Sequence, residues 1–155
     1  MVKFVIFEMH ILQKLANMPT AFLTRRERFS AAHRLFKPEL DNIENEALYG
    51  QCSSPNWHGH NYELFVTVKG PVDSEKGYVI NLKQLSNLIR ELVIEKVDHK
   101  NLNIDVDFMT GVLSTTENLT IAIWKILEKP IGELGAQLHR VRIRETENNV
   151  VDYYG

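Results

Sequence analysis

The chain has 155 residues, 44% hydrophobic and 25% charged, with 18 Lys and Arg against 20 Asp and Glu for a formal charge of −2. That length is enough for one domain with its own core. The balanced charge argues against a nucleic-acid or anionic-membrane partner, which selects for a basic excess. No apolar run approaches the roughly 20 residues of a membrane helix, and the single cysteine, Cys52, cannot close an intrachain disulfide. The composition fits a reducing, cytoplasmic compartment.

Residues 1–18 read as an N-terminal extension, peripheral or poorly ordered, followed by a single domain over 19–155. Glu8 interrupts the apolar patch Phe4–Phe7, which is wrong for a secretory leader, and the segment has no arginine, which is wrong for a mitochondrial one. From Phe22 to Leu35, alternation places Leu23, Phe29, Ala31, His33 and Leu35 on one face of a strand. Pro38 to Tyr49 is polar and acidic, a loop carrying a short helix. A second strand over His58–Gly70 aligns His58, His60, Tyr62, Leu64, Val66 and Val68, the pattern of a half-buried antiparallel strand.

Pro71–Gly77 is rich in turn formers and reverses the chain. Leu82, Leu85, Ile89, Leu92 and Val93 then recur at helical spacing, predicting an amphipathic helix over Asn81–Val97. The polar stretch Asp98–Asp107 follows. Ser114-Thr115-Thr116-Glu117 has the spacing of a capping box, opening a helix that Pro130 stops after Lys129. Gln137–Glu145 and Val150–Tyr154 read as strands joined by a turn at Glu147-Asn148-Asn149. Grouped rather than alternating strands and helices predict an α+β fold, a four-stranded antiparallel sheet with two helices on one face.

His58-Gly59-His60 is the first candidate for chemistry. Two residues apart on a strand, both imidazoles share one face, and Gly59 leaves room around them. His33 closes the apolar face of the first strand as these two open that of the second, so antiparallel pairing collects all three at one end of the sheet. Three neutral imidazoles leave a fourth position open, the catalytic form of a zinc site. His10 and His139 lack such a context and read as ordinary side chains. Cys52, in a polar loop six residues before His58, is either a base beside the metal or a fourth ligand. Asp98-His99 ends the first long helix, as an oriented acid–base pair or as helix-end chemistry. Glu145 shares the parity of Val141 and Ile143, and a carboxylate ending an apolar face needs a partner with paired N–H donors. Arg140, Arg142 and Arg144 take the other parity as a solvated or subunit-facing stripe. Thr115 and Glu117 have a capping role available to them, which leaves any further role open.

The segments Phe29-Ser-Ala-Ala-His33-Arg, Cys52-x5-His58-Gly-His60-Asn-Tyr, Val97-Asp98-His99-Lys-Asn-Leu, Ser114-Thr-Thr-Glu117-Asn and Glu145-Thr-x-Asn-Asn occur in this order. Together they resemble the 6-pyruvoyltetrahydropterin synthase family, over about Arg25 to Tyr154. The resemblance implies one Zn2+ per subunit on His33, His58 and His60, and admits Mg2+ as a second cation. It implies a catalytic set of Cys52, Asp98 and His99, with Glu145 anchoring a pterin ring helped by Thr115 and Glu117. It also implies the tunnelling fold, with sheets joined into a barrel in a homohexamer built as a dimer of trimers, and active sites at subunit interfaces. The implied reaction is conversion of 7,8-dihydroneopterin triphosphate to 6-pyruvoyltetrahydropterin with loss of triphosphate. No glycine-rich dinucleotide fingerprint is present, in keeping with a redox change internal to the substrate. Two rivals remain: the 6-carboxytetrahydropterin synthases of queuosine synthesis, and a non-catalytic zinc-binding assembly module. Trp57 is bulkier than the small residue expected before the first metal histidine.

Overall fold

The structure is a computed structural model that describes residues 18–155; the N-terminal extension read over 1–18 lies, but for Met18, outside the described residues. Two long strands form its spine, β1 (Thr20–His33) and β2 (His58–Pro71). They pair antiparallel in unbroken register from Thr20 opposite Pro71 to His33 opposite His58. Between them lie helix α1 (Asn42–Tyr49) and a tight 3-10 turn, Gly50–Ser53. Asp41 caps α1 in a full capping box with Glu44, which fixes where the polar loop turns helical.

Helix α2 (Leu82–Ile89) is capped by Asn81 and runs on through a π-helical stretch, Arg90–Ile94, to a last turn at Glu95–Val97. Strand β3 (Lys100–Asn101) follows, then helix α3 (Thr116–Glu133), β4 (Gln137–Arg144) and β5 (Val150–Tyr153). The sheet order is β3-β1-β2-β4-β5. Leu64, Val66, Val141 and Ile143 on the sheet and Leu85, Ile89, Leu119, Ile123 and Leu127 on the helices are fully buried in one core. Burying one face of the sheet against two amphipathic helices is the main driving force for this arrangement.

Three expectations need correction. The sheet has five strands rather than four: β3 is only two residues long, lies parallel to β1, and is too short to carry a period-two pattern. Pro130 does not stop α3, which continues to Glu133. A proline near a C-terminus removes one hydrogen bond from the last turn, and the fully buried Ile131 holds that turn on the core. The helix ends at Glu133 with Leu134 as its C-cap, and Gly135 follows at a φ of +87°, which suits the left-handed position after a C-cap. Finally, the α3 cap is Thr115, whose Oγ1 accepts the Asn118 N–H at 3.2 Å, so Ser114 and Glu117 form no capping box.

Candidate active site

The register of β1 and β2 sets His33 directly across from His58, and two residues on His60 points the same way. Ring centroids are 4.4 Å apart for His33 and His58, 5.1 Å for His58 and His60, and 5.2 Å for His33 and His60. One ligand atom from each of the three lies within 4.8 Å of the others, so these residues could hold a metal ion. Gly59 works on the opposite face from that expected: a Cβ there would sit 2.9 Å from the Ala31 carbonyl oxygen. It admits the neighbouring backbone rather than the imidazoles.

His33 is 2% exposed, and its Nδ1 lies 2.8 Å from the Ser114 carbonyl oxygen. A carbonyl only accepts, so Nδ1 carries the proton and Nε2 presents a lone pair. That Nε2, and both ring nitrogens of His58, are buried without a hydrogen-bond partner. Burial lowers the basicity of His33, His58 and His60, each with a smaller push from a histidine neighbour; the Ser114 hydrogen bond opposes the shift at His33, and Glu145 opposes it at all three. Neutral imidazole nitrogens gathered this closely, with His33 Nε2 and both nitrogens of His58 buried and unpartnered, are the donor set a borderline-soft divalent cation takes.

Glu145 follows the last residue of β4. Its Oε1 lies 3.8 Å from His33 Nε2 and 3.9 Å from His60 Nε2. The partner that holds it is the Thr116 hydroxyl, which donates to Oε1 at 2.6 Å. Thr116 was not among the residues expected at the site. The only sequence signal for it is its place beside Thr115, whose own hydroxyl is engaged in the helix cap.

A cleft of about 450 Å³ is lined by His33, Cys52, Thr115, Thr116, Glu117 and Glu145, among others. The thiol is exposed at the 3-10 turn. That turn is tied to the end of β1 by Leu35 N–H bonding the Cys52 carbonyl at 2.9 Å and by Arg34 Nε donating to the Ser53 carbonyl at 2.7 Å. Leu35 therefore leaves the strand in which its parity placed it. Trp57 adopts a left-handed φ of +64° before His58, and its indole meets Phe36 edge-on at 6.3 Å.

Asp98 and His99 do not line this cleft. Asp98 Oδ1 accepts the Ser30 N–H at 2.9 Å and lies 3.1 Å from His99 Nδ1. The Ser30 hydrogen bond is the main reason its carboxyl is held below the usual range. Asp98 borders a separate depression of about 680 Å³, which Glu145 reaches from the other side. His99 is 83% exposed at φ +58° and, with His60, borders a shallow groove. The arginine stripe is paired rather than free: Arg142 bonds both oxygens of Asp152, and Arg144 bonds Glu63, which Arg26 also reaches.

Among the described residues, no helix is long and apolar enough to cross a membrane. The sequence profile of 6-pyruvoyl tetrahydropterin synthase matches residues 22–155. The chain is 44% identical to a human 6-pyruvoyl tetrahydrobiopterin synthase, over 87% of this chain and 92% of that protein. It is 46% identical to its namesake from Dictyostelium discoideum, over 88% and 97%. The solved structure of the Caenorhabditis elegans 6-pyruvoyl tetrahydropterin synthase superposes with a TM-score of 0.78 at 37% identity, over 89% of this chain and 97% of that one. The chain therefore belongs to the 6-pyruvoyl tetrahydropterin synthase family of enzymes.

Proposed function

We propose that this chain converts 7,8-dihydroneopterin triphosphate to 6-pyruvoyltetrahydropterin, releasing triphosphate, in the cytoplasm, and that residues 19–155 carry the whole activity. One observation carries the reading: His33, the buried member of the three-histidine cluster, lines the same cleft as a thiol and an anchored carboxylate. Zn2+ held by His33, His58 and His60 would supply Lewis acidity to the substrate's side-chain oxygens, making the neighbouring C–H bonds more acidic.

The remaining work falls to the chain's own groups. Glu145, fixed by Thr116, presents carboxylate oxygen to the N–H edge of the pterin and sets which side-chain carbon faces Cys52. Thr115 and Glu117 border the same cleft and help to seat the ring. Cys52 Sγ, at the cleft wall, takes and returns protons on one side of the substrate side chain. His99, oriented by Asp98 through its Nδ1, exchanges protons at the other. Its exposure outside the Cys52 cleft leads us to place it in the site of a neighbouring subunit of a homohexamer, a dimer of trimers. Loss of triphosphate leaves an enol that becomes one ketone and the methyl group. Oxidation of the other side-chain hydroxyl to a ketone is balanced by hydrogen added at a carbon and a nitrogen of the pterin ring. The redox change therefore stays within the substrate and no external oxidant is needed.

Incubating the zinc-loaded protein with 7,8-dihydroneopterin triphosphate tests this directly. Formation of 6-pyruvoyltetrahydropterin and triphosphate is the expected result, and acetaldehyde release would assign side-chain cleavage and sink it. A Cys52→Ala variant that retains zinc but loses turnover supports proton chemistry. Loss of zinc from that variant would make Cys52 a ligand and the centre a structural one.

A further inference from the structure

We propose that Asn103 and Ser114 act as a positioning pair that holds His33 in its ligating orientation. The inference rests on reading the histidine cluster as a metal centre. His33 is the last residue of β1, where a strand ordinarily frays, yet it is almost completely buried. What replaces the missing ladder is a closed ring of hydrogen bonds.

The Asn103 side chain imitates a neighbouring strand. Its Oδ1 accepts the Arg34 N–H at 3.0 Å, and its Nδ2 donates to the Arg34 carbonyl at 2.9 Å. The parallel ladder that begins at β3 places it there, because Leu102 N–H bonds the Ala32 carbonyl at 2.8 Å immediately before. The Ser114 hydroxyl, on a residue with no exposed surface, lies 2.9 Å from Asn103 Oδ1 and 3.1 Å from the Arg34 carbonyl. The carbonyl of that same Ser114 accepts the proton of His33 Nδ1 at 2.8 Å.

Arg34 is bonded covalently to His33, so the ring closes: His33, Ser114, Asn103, Arg34 and back to His33. Two of its effects bear on a ligand. The Ser114 carbonyl fixes the tautomer that leaves Nε2 free, and the Asn103 clamp fixes the backbone from which the imidazole projects. Groups that orient a ligating imidazole in this way are worth about 10- to 100-fold in metal affinity. Neither residue touches the cleft's reacting atoms, so both are positioning residues.

The test is zinc transfer from the full-length protein to a chromogenic chelator, together with the visible spectrum of the cobalt-substituted form. The wild type is loaded first, and a wild type that binds no zinc would overturn the metal reading itself. Given a zinc-binding wild type, Ser114→Ala and Asn103→Ala should each raise the zinc Kd about 10-fold or more and shift the cobalt bands. The double variant should cost little more than either single one, because both break the same ring. Asn103→Asp, which keeps the acceptor oxygen but loses the donor, should fall between wild type and Asn103→Ala, and it carries the test if Ser114→Ala fails to fold. Single variants within about twofold of the wild-type Kd and with an unshifted cobalt spectrum would overturn the proposal, as would fully multiplicative losses in the double variant.

Discussion

Thr116 donates a 2.6 Å hydrogen bond to Glu145, joining the first turn of α3 to the residue just past β4. The carboxylate so held is the group that faces two of the three clustered imidazoles. A freely rotating glutamate at this point could not present the same oxygen to both His33 and His60.

Replacing Thr116 by valine keeps the shape and removes the donor. A hydrogen bond to a charged group contributes about 1.5–3 kcal/mol. If Glu145 anchors substrate, kcat/KM should fall by roughly 10- to 100-fold, mostly through KM. Thr115→Val should raise KM too, because Thr115 helps to seat the ring, but it should also cost about 1 kcal/mol of stability through the lost helix cap. Steady-state kinetics and denaturant titration on the two variants separate these effects, and an unchanged KM in Thr116→Val would remove Glu145 from the binding role.

Gly59→Ala tests the strand packing under the metal cluster. The added Cβ would lie 2.9 Å from the Ala31 carbonyl oxygen, so β1 and β2 must part locally. Overpacking of this kind costs about 1–3 kcal/mol. Because the same strands carry His33 and His58, zinc content should fall along with the melting temperature. Normal zinc binding in a destabilised Gly59→Ala would show that the cluster tolerates the displacement.

Strand parity makes the fold's spine and the histidine cluster legible in the sequence: Phe29, Ala31 and His33 alternate cleanly, as do His58, His60 and Tyr62. Antiparallel pairing of the two apolar faces then brings the three histidines to one end of the sheet, whereas the register itself comes from the structure. Thr116 was not legible, because a hydroxyl in a helix's first turn is explained locally and its partner lies 29 positions away. Nor was β3, where two residues cannot show a period, nor the extra turn of α3 past Pro130, where Ile131 burial outweighs a lost backbone bond. The buried Tyr62 hydroxyl, which has no partner and whose ionisation burial strongly opposes, reads in sequence as one more apolar position.

The histidine shifts make acid sensitivity a property of the metal-free protein. His33, His58 and His60 hold protons less readily folded than unfolded. Below the unfolded value of about 6.5 the unfolded chain therefore takes up more protons, and stability falls as pH drops through that region. Above it their contribution is fully present. Urea midpoints of the zinc-free protein should be flat from about pH 8 to 7 and decline below about 6.5, with zinc restoring part of the loss. A midpoint indifferent to pH over that range would contradict buried, neutral imidazoles.

The separation of His99 from the Cys52 cleft gives the most direct test of assembly. Cys52→Ala and His99→Ala should each abolish turnover while leaving zinc bound, since neither residue belongs to the histidine cluster. If each site takes its thiol from one subunit and its Asp98–His99 pair from another, the two inactive proteins can rescue each other. Unfolding and refolding an equal mixture would combine an intact Cys52 with an intact His99 at about one site in four, so activity should return to roughly a quarter of the wild-type level. Sites built within one subunit give no such recovery, because every chain in the mixture carries one lesion. Mixing without dissociation supplies the control and should stay inactive, and a refolded mixture that also stays inactive would return both residues to a single chain's site.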